Sequence, residues 1–239
     1  MKRFFAILLS FLMLTVFVFA TGGCSPKSKY NSFKKSVNID DALMVENISA
    51  LDVYYRFIYS LTSAEITKTI YDSGSLFGAV SYSTEEIIFS SPAMLYRKKN
   101  PVVFFDSPEY DYFDGENYYY KYNGTWYADS YYSDNFTEDI FGIPSEIFEN
   151  YNFTYNHLFK NDDGYILKIQ GTHKSSKTLM EITAVADQNF SISKLLVERE
   201  PLNSDGEKYK IFLFIEYSKV NSDVEVVPPK SLSFENISY

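Results

Sequence analysis

Residues 118–127 read YYYKYNGTWY, and within them Asn123-Gly124 separates two runs of aromatic and β-branched residues. Asn-Gly readily adopts the positive φ angles of a tight hairpin turn, so this stretch predicts two antiparallel strands joined at that dipeptide. Asp-Gly supplies the same turn chemistry, and it recurs between other short apolar runs. These further pairs are Asp114-Gly115, Asp163-Gly164 and Asp205-Gly206.

The chain on both sides of this hairpin is predicted to form a large antiparallel sheet. From residue 64 onward, short runs of β-branched and aromatic residues are bounded by turn residues, as expected of strands. One stretch, 137–150, instead predicts one or two short crossover helices, because Thr137 can cap a first turn and Pro144 can begin a second. The predicted strands are 64–71, 76–90, 94–98, 102–113, 116–122, 125–132, 153–160, 165–172, 178–187, 191–199, 208–218 and 224–227.

Before the sheet, residues 38–61 carry apolar side chains at the three- and four-residue spacing of one helical face. Asn38 can cap this helix, and Asp40 and Asp41 suit the positive end of its dipole. The apolar stripe consists of Met44, Ile48, Leu51, Tyr55 and Ile58. Because the stripe and one face of the sheet must be buried, we predict an α+β, mostly β fold. It is a large curved antiparallel sheet, an open half-barrel, packed on one long N-terminal helix, with short crossover helices.

The first residues have the pattern of an export signal. Lys2 and Arg3 precede an apolar run from Phe4 to Ala20, which is followed by small residues. The sequence Thr21-Gly22-Gly23-Cys24 resembles the lipobox of bacterial lipoproteins, in which the cysteine sulfur receives a diacylglyceryl group and becomes the new N-terminus. Ordinary signal-peptidase cleavage around Thr21, or a free thiol at Cys24, are the alternatives.

Cysteine usage favours the lipid anchor. Cys24 is the only cysteine of the chain, whereas an exported domain would be expected to carry cysteines in pairs. We therefore predict a lipoprotein signal peptide at 1–23, a flexible polar tether at 24–37 and a single domain at 38–239. The predicted location is the extracytoplasmic face of a cell membrane. Ser25 after the cysteine is compatible with the outer membrane of a two-membrane bacterium.

The charge of the chain excludes some partners. Its formal net charge is −9, and loss of Lys2 and Arg3 with the signal would make the remaining chain more acidic. Nucleic acid needs a basic counter-surface, so we predict that this protein does not bind it. The same acidity argues against adhesion to anionic head groups, which leaves the N-terminal lipid as the predicted membrane contact.

The sequence predicts no catalytic, metal or cofactor site. The two histidines, His157 and His173, fall on different predicted strands without a cysteine or carboxylate at ligand spacing. The chain has no Gly-x-Ser-x-Gly and no glycine-rich phosphate loop. We therefore expect a protein that is not an enzyme.

Three stretches follow one another along the chain: the capped helix after the tether, the segment 91–97 (SPAMLYR) leading to Asp114-Gly115, and the segment 217–221 (YSKVN) before 224–228. In these stretches and in the order of its elements, the chain resembles the lipoprotein carriers and receptors of the LolA/LolB type and the mycobacterial LppX/LprG type. The resemblance covers nearly the whole mature chain. The resemblance implies an open half-barrel closed by helices. Soluble carriers of this group lack a lipid anchor, so a lipid-anchored receptor or tethered binding protein is the closer analogue.

Two functions remain open from the sequence. The first is a lipid or other hydrophobic ligand held in the concave groove of the sheet, against the helical stripe of Met44, Ile48, Leu51, Tyr55 and Ile58. The alternative is an interaction or sensory module without an internal ligand, which binds an envelope protein or cell-wall polymer through an exposed aromatic surface. That surface would comprise Tyr118, Tyr120, Tyr122 and Trp126. Ordinary packing in core and sheet is the alternative for both residue sets.

Overall fold

The computed structural model describes residues 26–76, 79–99, 109–122, 124–129, 138–203 and 205–232. The predicted signal peptide at 1–23 and the anchor residue Cys24 lie outside the described residues. The chain divides into two compact units, Met1–Ser36 and Val37–Tyr239. The division into signal, tether and single domain stays a prediction.

The secondary structure is mostly β. The helices are α1 (Pro26–Ser36), α2 (Ala50–Tyr59), α3 (Glu138–Phe141) and α4 (Ser145–Asn150). The first seven strands are β1 (Leu43–Val45), β2 (Ser63–Leu76), β3 (Ala79–Ser90), β4 (Ala93–Lys99), β5 (Glu109–Phe113), β6 (Tyr118–Tyr122) and β7 (Thr125–Asp129). The other five are β8 (Tyr151–Asn161), β9 (Gly164–His173), β10 (Leu179–Ala186), β11 (Ile192–Arg199) and β12 (Ile211–Ser218).

All twelve strands belong to one antiparallel sheet. Their order is β1-β8-β9-β10-β11-β12-β2-β3-β4-β5-β6-β7, so β1 and β7 are its two edges. The prediction of a large, open, curved antiparallel sheet is confirmed. The crossover helices are confirmed as well, since α3 and α4 both fall within the predicted stretch 137–150.

The long helix predicted from Asn38 to about Leu61 is wrong in its first half. The helix begins at Ala50, where the Ser49 hydroxyl accepts the N–H of Asp52 at 3.1 Å and so serves as the cap. Asn47 has φ 68°, which is incompatible with a continuing helix. Asn38 accepts the backbone N–H of Asp40 in a local turn instead.

Helix α1 lies inside the stretch 24–37, for which the flexible tether stays a prediction. It begins at a proline, and Lys34 and Lys35 suit the negative end of its dipole. The strand predicted at 224–227 is wrong, because these residues have no regular structure and run into Pro228-Pro229, which cannot donate to a ladder. The short edge strand β1, paired with β8, was not predicted.

Helix α2 packs on one side of the sheet, which we call the inner face. Its buried residues Val53, Tyr54, Phe57 and Ile58 join a core with side chains from the strands. Largely buried strand residues of that core include Ile66, Ile87, Leu158, Leu167, Ile182, Leu195 and Ile215. The ring of Phe57 meets that of Tyr217 edge to face, with centroids 4.9 Å apart. The inner face below α2 is therefore filled by packed side chains.

The hairpin turns have the backbone geometry that their sequences predicted. Gly124 (φ +83°) and Gly206 (φ +81°) have ample space around them, whereas Gly164 (φ +147°) does not. A Cβ on Gly164 would lie 2.2 Å from the backbone oxygen of Ala186. The β8–β9 turn therefore approaches the end of β10 too closely for any side chain.

Gly164→Ala is expected to lower the free energy of unfolding by about 3 kcal/mol or more, because alanine there adds a backbone clash to an unfavourable φ. Urea denaturation followed by circular dichroism measures the change. Gly206→Ala is the matched control. It also places alanine at a positive φ, but no atom lies close enough to clash with the added Cβ, so the free energy of unfolding should fall by about 1 kcal/mol. Equal losses in the two variants would contradict the close approach at Gly164.

Candidate ligand-binding site

Three tyrosines form a stacked row on β6 and β7. The ring centroids of Tyr118 and Tyr120 are 5.8 Å apart, and Tyr127 lies opposite Tyr120 with centroids 5.4 Å apart. All three side chains are half-buried. We call Tyr118, Tyr120 and Tyr127 the tyrosine row. Stacking at these distances favours fixed ring orientations, so the row is a semi-rigid aromatic surface.

The tyrosine row lies on the inner face of the sheet. Tyr118 is opposite Phe113, and Phe113 is opposite Met94, which is buried in the core. Directly opposed residues of antiparallel strands point to the same side. Phe113 on β5 packs against the core. The tyrosine row therefore lies on the same inner face, one strand (β6) and two strands (β7) beyond β5. Asp111, opposite Tyr120, adds a half-buried carboxylate to the same face.

The outer face of this hairpin is covered by the chain that follows β12. Residues 219–232, which we call the strap, reach the aromatic side chains of β5, β6 and β7 there. Leu232 is buried with them, and Val226 packs against the same cluster. The aromatic members are Tyr112, Tyr119 and Trp126. Strands β5–β7 are therefore packed on their outer face and carry tyrosines on their inner face.

The prediction of an aromatic surface that includes Trp126 is wrong. Trp126 is opposite Lys121, which places it on the face away from Tyr118 and Tyr120, and it is only 5% exposed. Its Nε1 is buried without a hydrogen-bond partner among the described residues. The side chain of Tyr122 lies outside the described part of the chain. The binding roles predicted for Tyr118 and Tyr120 stay predictions.

The predicted groove residues do not form one helical stripe. Met44 lies on β1 and is 52% exposed, and Ile48 precedes α2 and is 37% exposed. Leu51 and Tyr55 are half-buried on α2, and Ile58 is buried there. Placing Met44 and Ile48 on the helix is wrong, because the helix begins only at Ala50. Ligand contact by any of the five stays a prediction.

Tyr55 and Ile58 line a small cleft between α2 and α4, with a volume of about 180 Å³. Phe148 of α4 packs there against Tyr54 and Tyr55, with ring centroids 5.5 and 5.4 Å apart. Pockets for drug-sized ligands begin at roughly 300 Å³. The cleft between α2 and α4 is therefore smaller than a usual pocket for a drug-sized ligand.

Three buried polar contacts hold the turn between α3 and α4 onto the sheet. The Lys68 ammonium donates to the Gly142 carbonyl at 3.0 Å, and the Tyr217 hydroxyl donates to the Phe141 carbonyl at 2.8 Å. The Ile143 N–H donates to the Tyr54 hydroxyl at 2.8 Å. We call these the crossover contacts. They satisfy backbone groups that would otherwise be buried without partners.

Lys68 was not identified from the sequence. It is 4% exposed, although lysine is rarely buried. The pattern did contain a signal, because Lys68 stands between Ile66 and Ile70 at the two-residue spacing of one strand face. A lysine in such an apolar series points toward the core and needs a buried acceptor.

Tyr217→Phe is expected to change how stability depends on pH. Burial raises the pKa of Tyr217 well above its ordinary value of 10.0, and neighbouring Tyr54 raises it further. Since the folded-state pKa is the higher one, the stabilisation is complete below pH about 10 and is lost as pH rises toward the folded pKa. Tyr217 therefore steepens the alkaline loss of stability by up to about 1.4 kcal/mol per pH unit.

Urea denaturation at pH 8 to 11 measures this effect. In Tyr217→Phe the alkaline slope should be shallower, while stability at pH 8 falls by about 1–2 kcal/mol because the Phe141 carbonyl loses its donor. Tyr59→Phe, which alters a 68% exposed ring, is the control and should keep the wild-type slope. Identical slopes for all three proteins would contradict burial of an un-ionised Tyr217.

Among the described residues, no group of three or more His, Cys, Asp or Glu side chains is arranged to hold a metal ion. The two histidines lie on neighbouring strands, His157 on β8 and His173 on β9. Each ring packs edge-on against a tyrosine, Tyr155 and Tyr151 respectively.

Comparison with known proteins was informative only at the level of structure. No protein-family model matches the chain, and no curated protein sequence matches it. LprF from Mycobacterium bovis is similar over 75% of this chain and 96% of its own, with 10% identity and a TM-score of 0.41. A LolA superfamily protein from Nitrosomonas europaea is similar over 79% and 99%, with 10% identity and a TM-score of 0.34.

The described part of the chain contains no helix that is both long enough and apolar enough to cross a bilayer.

Proposed function

We propose that this protein is an exported lipoprotein that binds a lipid or another hydrophobic ligand on the inner face of its curved sheet. The signal pattern at 1–23 supports export, and the lone Cys24 after small residues supports acylation of that sulfur. In this proposal the acyl chains hold the protein on the extracytoplasmic face of a cell membrane. The role is one of binding without catalysis.

The observation that carries this proposal is the tyrosine row. It is semi-rigid, half-buried and apolar along its ring faces, and it lies where the inner face extends past the helix-covered core. Tyrosine rings offer an apolar contact area with a polar tip, which suits a ligand that has both apolar and polar parts. Asp111 on the same face is a candidate partner for a polar group of that ligand.

The proposed ligand position differs from the one that the sequence suggested. A ligand between α2 and the sheet would have to displace Val53, Phe57 and Ile58, which are all buried in the core. Losing such packing costs about 2–5 kcal/mol for each large side chain. We therefore place the ligand over β4 to β7, where it would contact the tyrosine row rather than the predicted stripe.

Native mass spectrometry with solvent extraction tests the proposal. The chain from Ser25 to Tyr239, which carries no acyl group of its own, would be purified from bacterial cytoplasm. Co-purifying lipid near one molecule per chain is the expected result. A protein that keeps its apo mass after incubation with lipid vesicles would rule out the hydrophobic-ligand proposal.

A second candidate is a surface module that binds an envelope protein or cell-wall polymer through the tyrosine row, without an internal ligand. The packed core below α2 favours this second candidate, because apolar side chains of the helix and the sheet already bury one another there. The two candidates differ in the mass experiment. The second predicts an apo mass, together with loss of partner binding when the tyrosine row is altered.

A further inference from the structure

A separate polar cleft lies toward the opposite end of the strand order from the tyrosine row, among β8, β9, β11 and α4. Its volume is about 150 Å³. Residues that line it include Asn150, Tyr151, His173, Ser176, Thr178 and Arg199. These six side chains can donate hydrogen bonds, and the other three lining residues are Glu146, Ile147 and Pro201.

Arg199 is the cation of this cleft. It is opposite Met180, a core residue, so it lies on the inner face at the end of β11. It is half-buried, and within the described residues its guanidinium makes no hydrogen bond and no ion pair. A half-buried arginine normally finds an acceptor, so this side chain suits a ligand that carries oxygen acceptors.

One ring nitrogen of His173 already accepts hydrogen bonds. Its Nδ1 accepts the backbone N–H groups of Ser175 and Ser176 at 3.3 and 3.2 Å, so a neutral ring carries its proton on Nε2. An edge-to-face contact with Tyr151, with centroids 5.0 Å apart, orients the ring further. The Nε2–H of this cleft-lining histidine is therefore a hydrogen-bond donor that a ligand could use.

The turn that follows His173 adds hydroxyl groups and positive charge. The hydroxyl oxygens of Ser176 and Thr178 are 2.9 Å apart and share one hydrogen, which leaves a second hydroxyl hydrogen for another acceptor. Lys174 and Lys177 lie in the same turn, where their ammonium groups donate to the carbonyls of Glu149 and Lys174. No carboxylate occurs between residues 171 and 180.

We propose that this cleft binds an oxyanion of the phosphate class. Arginine matches two oxygens of a phosphate at once, and the imidazole and hydroxyl donors supply further hydrogen bonds from other directions. Glu146, at the edge of the cleft, is the one carboxylate that lines it and opposes the anion. This site is independent of the tyrosine row and of any hydrophobic ligand there.

Phosphate chemistry can come from a free anion or from a lipid head group, so two probes are needed. Inorganic phosphate represents the free anion, and a short-chain phosphatidate below its micelle concentration represents the lipid. Binding of both with equal affinity assigns the cleft to the phosphate group alone. Tighter binding of the phosphatidate assigns it to the head group of a lipid.

Titration of the purified protein at constant ionic strength tests the proposal, with the backbone amide resonances of Ser175 and Ser176 as the readout. Saturable shifts are expected, and Arg199→Gln should weaken binding at least about tenfold by removing the charge-assisted hydrogen bonds. Arg199→Lys keeps the charge but loses the two-oxygen contact, so an intermediate loss is expected. Glu146→Gln should tighten binding.

Lys194→Gln is the matched control, because it removes the same charge from an exposed position on the same strand, opposite Glu216. It should bind phosphate as the wild type does. Absence of saturation with both probes, or equal weakening by Arg199→Gln and Lys194→Gln, would overturn the proposal. Circular dichroism of each variant verifies that the fold is retained.

Discussion

Replacing Tyr118 and Tyr120 together with alanine is expected to weaken binding of the hydrophobic ligand about a hundredfold. Each half-buried ring would contribute about 1.4 kcal/mol, or one factor of ten, which is typical of an aromatic contact in a binding site. The two rings stack on each other and Tyr120 also stacks on Tyr127, so removing both leaves Tyr127 without that contact. The fraction of lipid-loaded chain in native mass spectrometry measures the loss.

Tyr155→Ala is the matched control for this variant. Tyr155 is also half-buried on a strand and also contacts a ring, that of His157, edge to face. It lies on β8, far along the sheet order from β6. Wild-type loading is expected. If the Tyr118→Ala, Tyr120→Ala protein carried as much lipid as the control, the ligand would not lie on the tyrosine row.

Lys68→Ala is expected to lower the free energy of unfolding by about 3–5 kcal/mol. The substitution leaves a cavity where a long side chain was buried, and it removes the donor to the Gly142 carbonyl. Because this is one of the crossover contacts, the turn between α3 and α4 should loosen. Thermal and urea denaturation measure the first effect, and hydrogen exchange at Gly142 and Ile143 measures the second.

Two further substitutions separate the causes. Lys68→Met keeps most of the volume and loses only the charged donor, so a loss of about 1–3 kcal/mol is expected. Lys194→Ala, at an exposed position, should change stability by less than about 0.5 kcal/mol. A loss in Lys68→Ala no larger than that of Lys194→Ala would show that the buried ammonium contributes nothing.

The sheet was predictable because its turns are local. The Asp-Gly and Asn-Gly dipeptides determine where the chain reverses, and Gly124 and Gly206 indeed adopt positive φ. Register then follows from turn length: a two-residue turn pairs Tyr122 with Thr125, and hence Lys121 with Trp126. The inward or outward position of Trp126 could thus have been read from the sequence.

The start of α2 was not predictable in the same way. Met44 and Ile48 fit the helical spacing, but Leu43–Val45 pair with Leu158–Lys160, more than one hundred residues later in the chain. A contact of that separation overrides local periodicity and cannot be seen in a window of eighteen residues. Ser49 was a cap signal as good as Asn38, and only the pairing of β1 decides between them.

The crossover contacts and the phosphate-class cleft share this non-local origin. Lys68, Tyr217 and Tyr54 come from three distant parts of the chain and meet at one turn. His173 and Arg199 likewise reach one cleft from two strands that are not adjacent. Hydrogen-bonding side chains on several strands can converge in many ways, so only the strand order selects the combination that occurs.

The strap is synthesised well after the hairpin that it covers. Ribosomes release the hairpin that contains Trp126 about one hundred residues before they release Leu232. Until then the outer side of β5–β7 has no cover, and three large aromatic groups are open to chaperones or to a neighbouring nascent chain. A premature stop codon anywhere between 219 and 226 would retain every strand but remove Leu232 and Val226 from this cluster. The product would be prone to aggregation and sensitive to proteases.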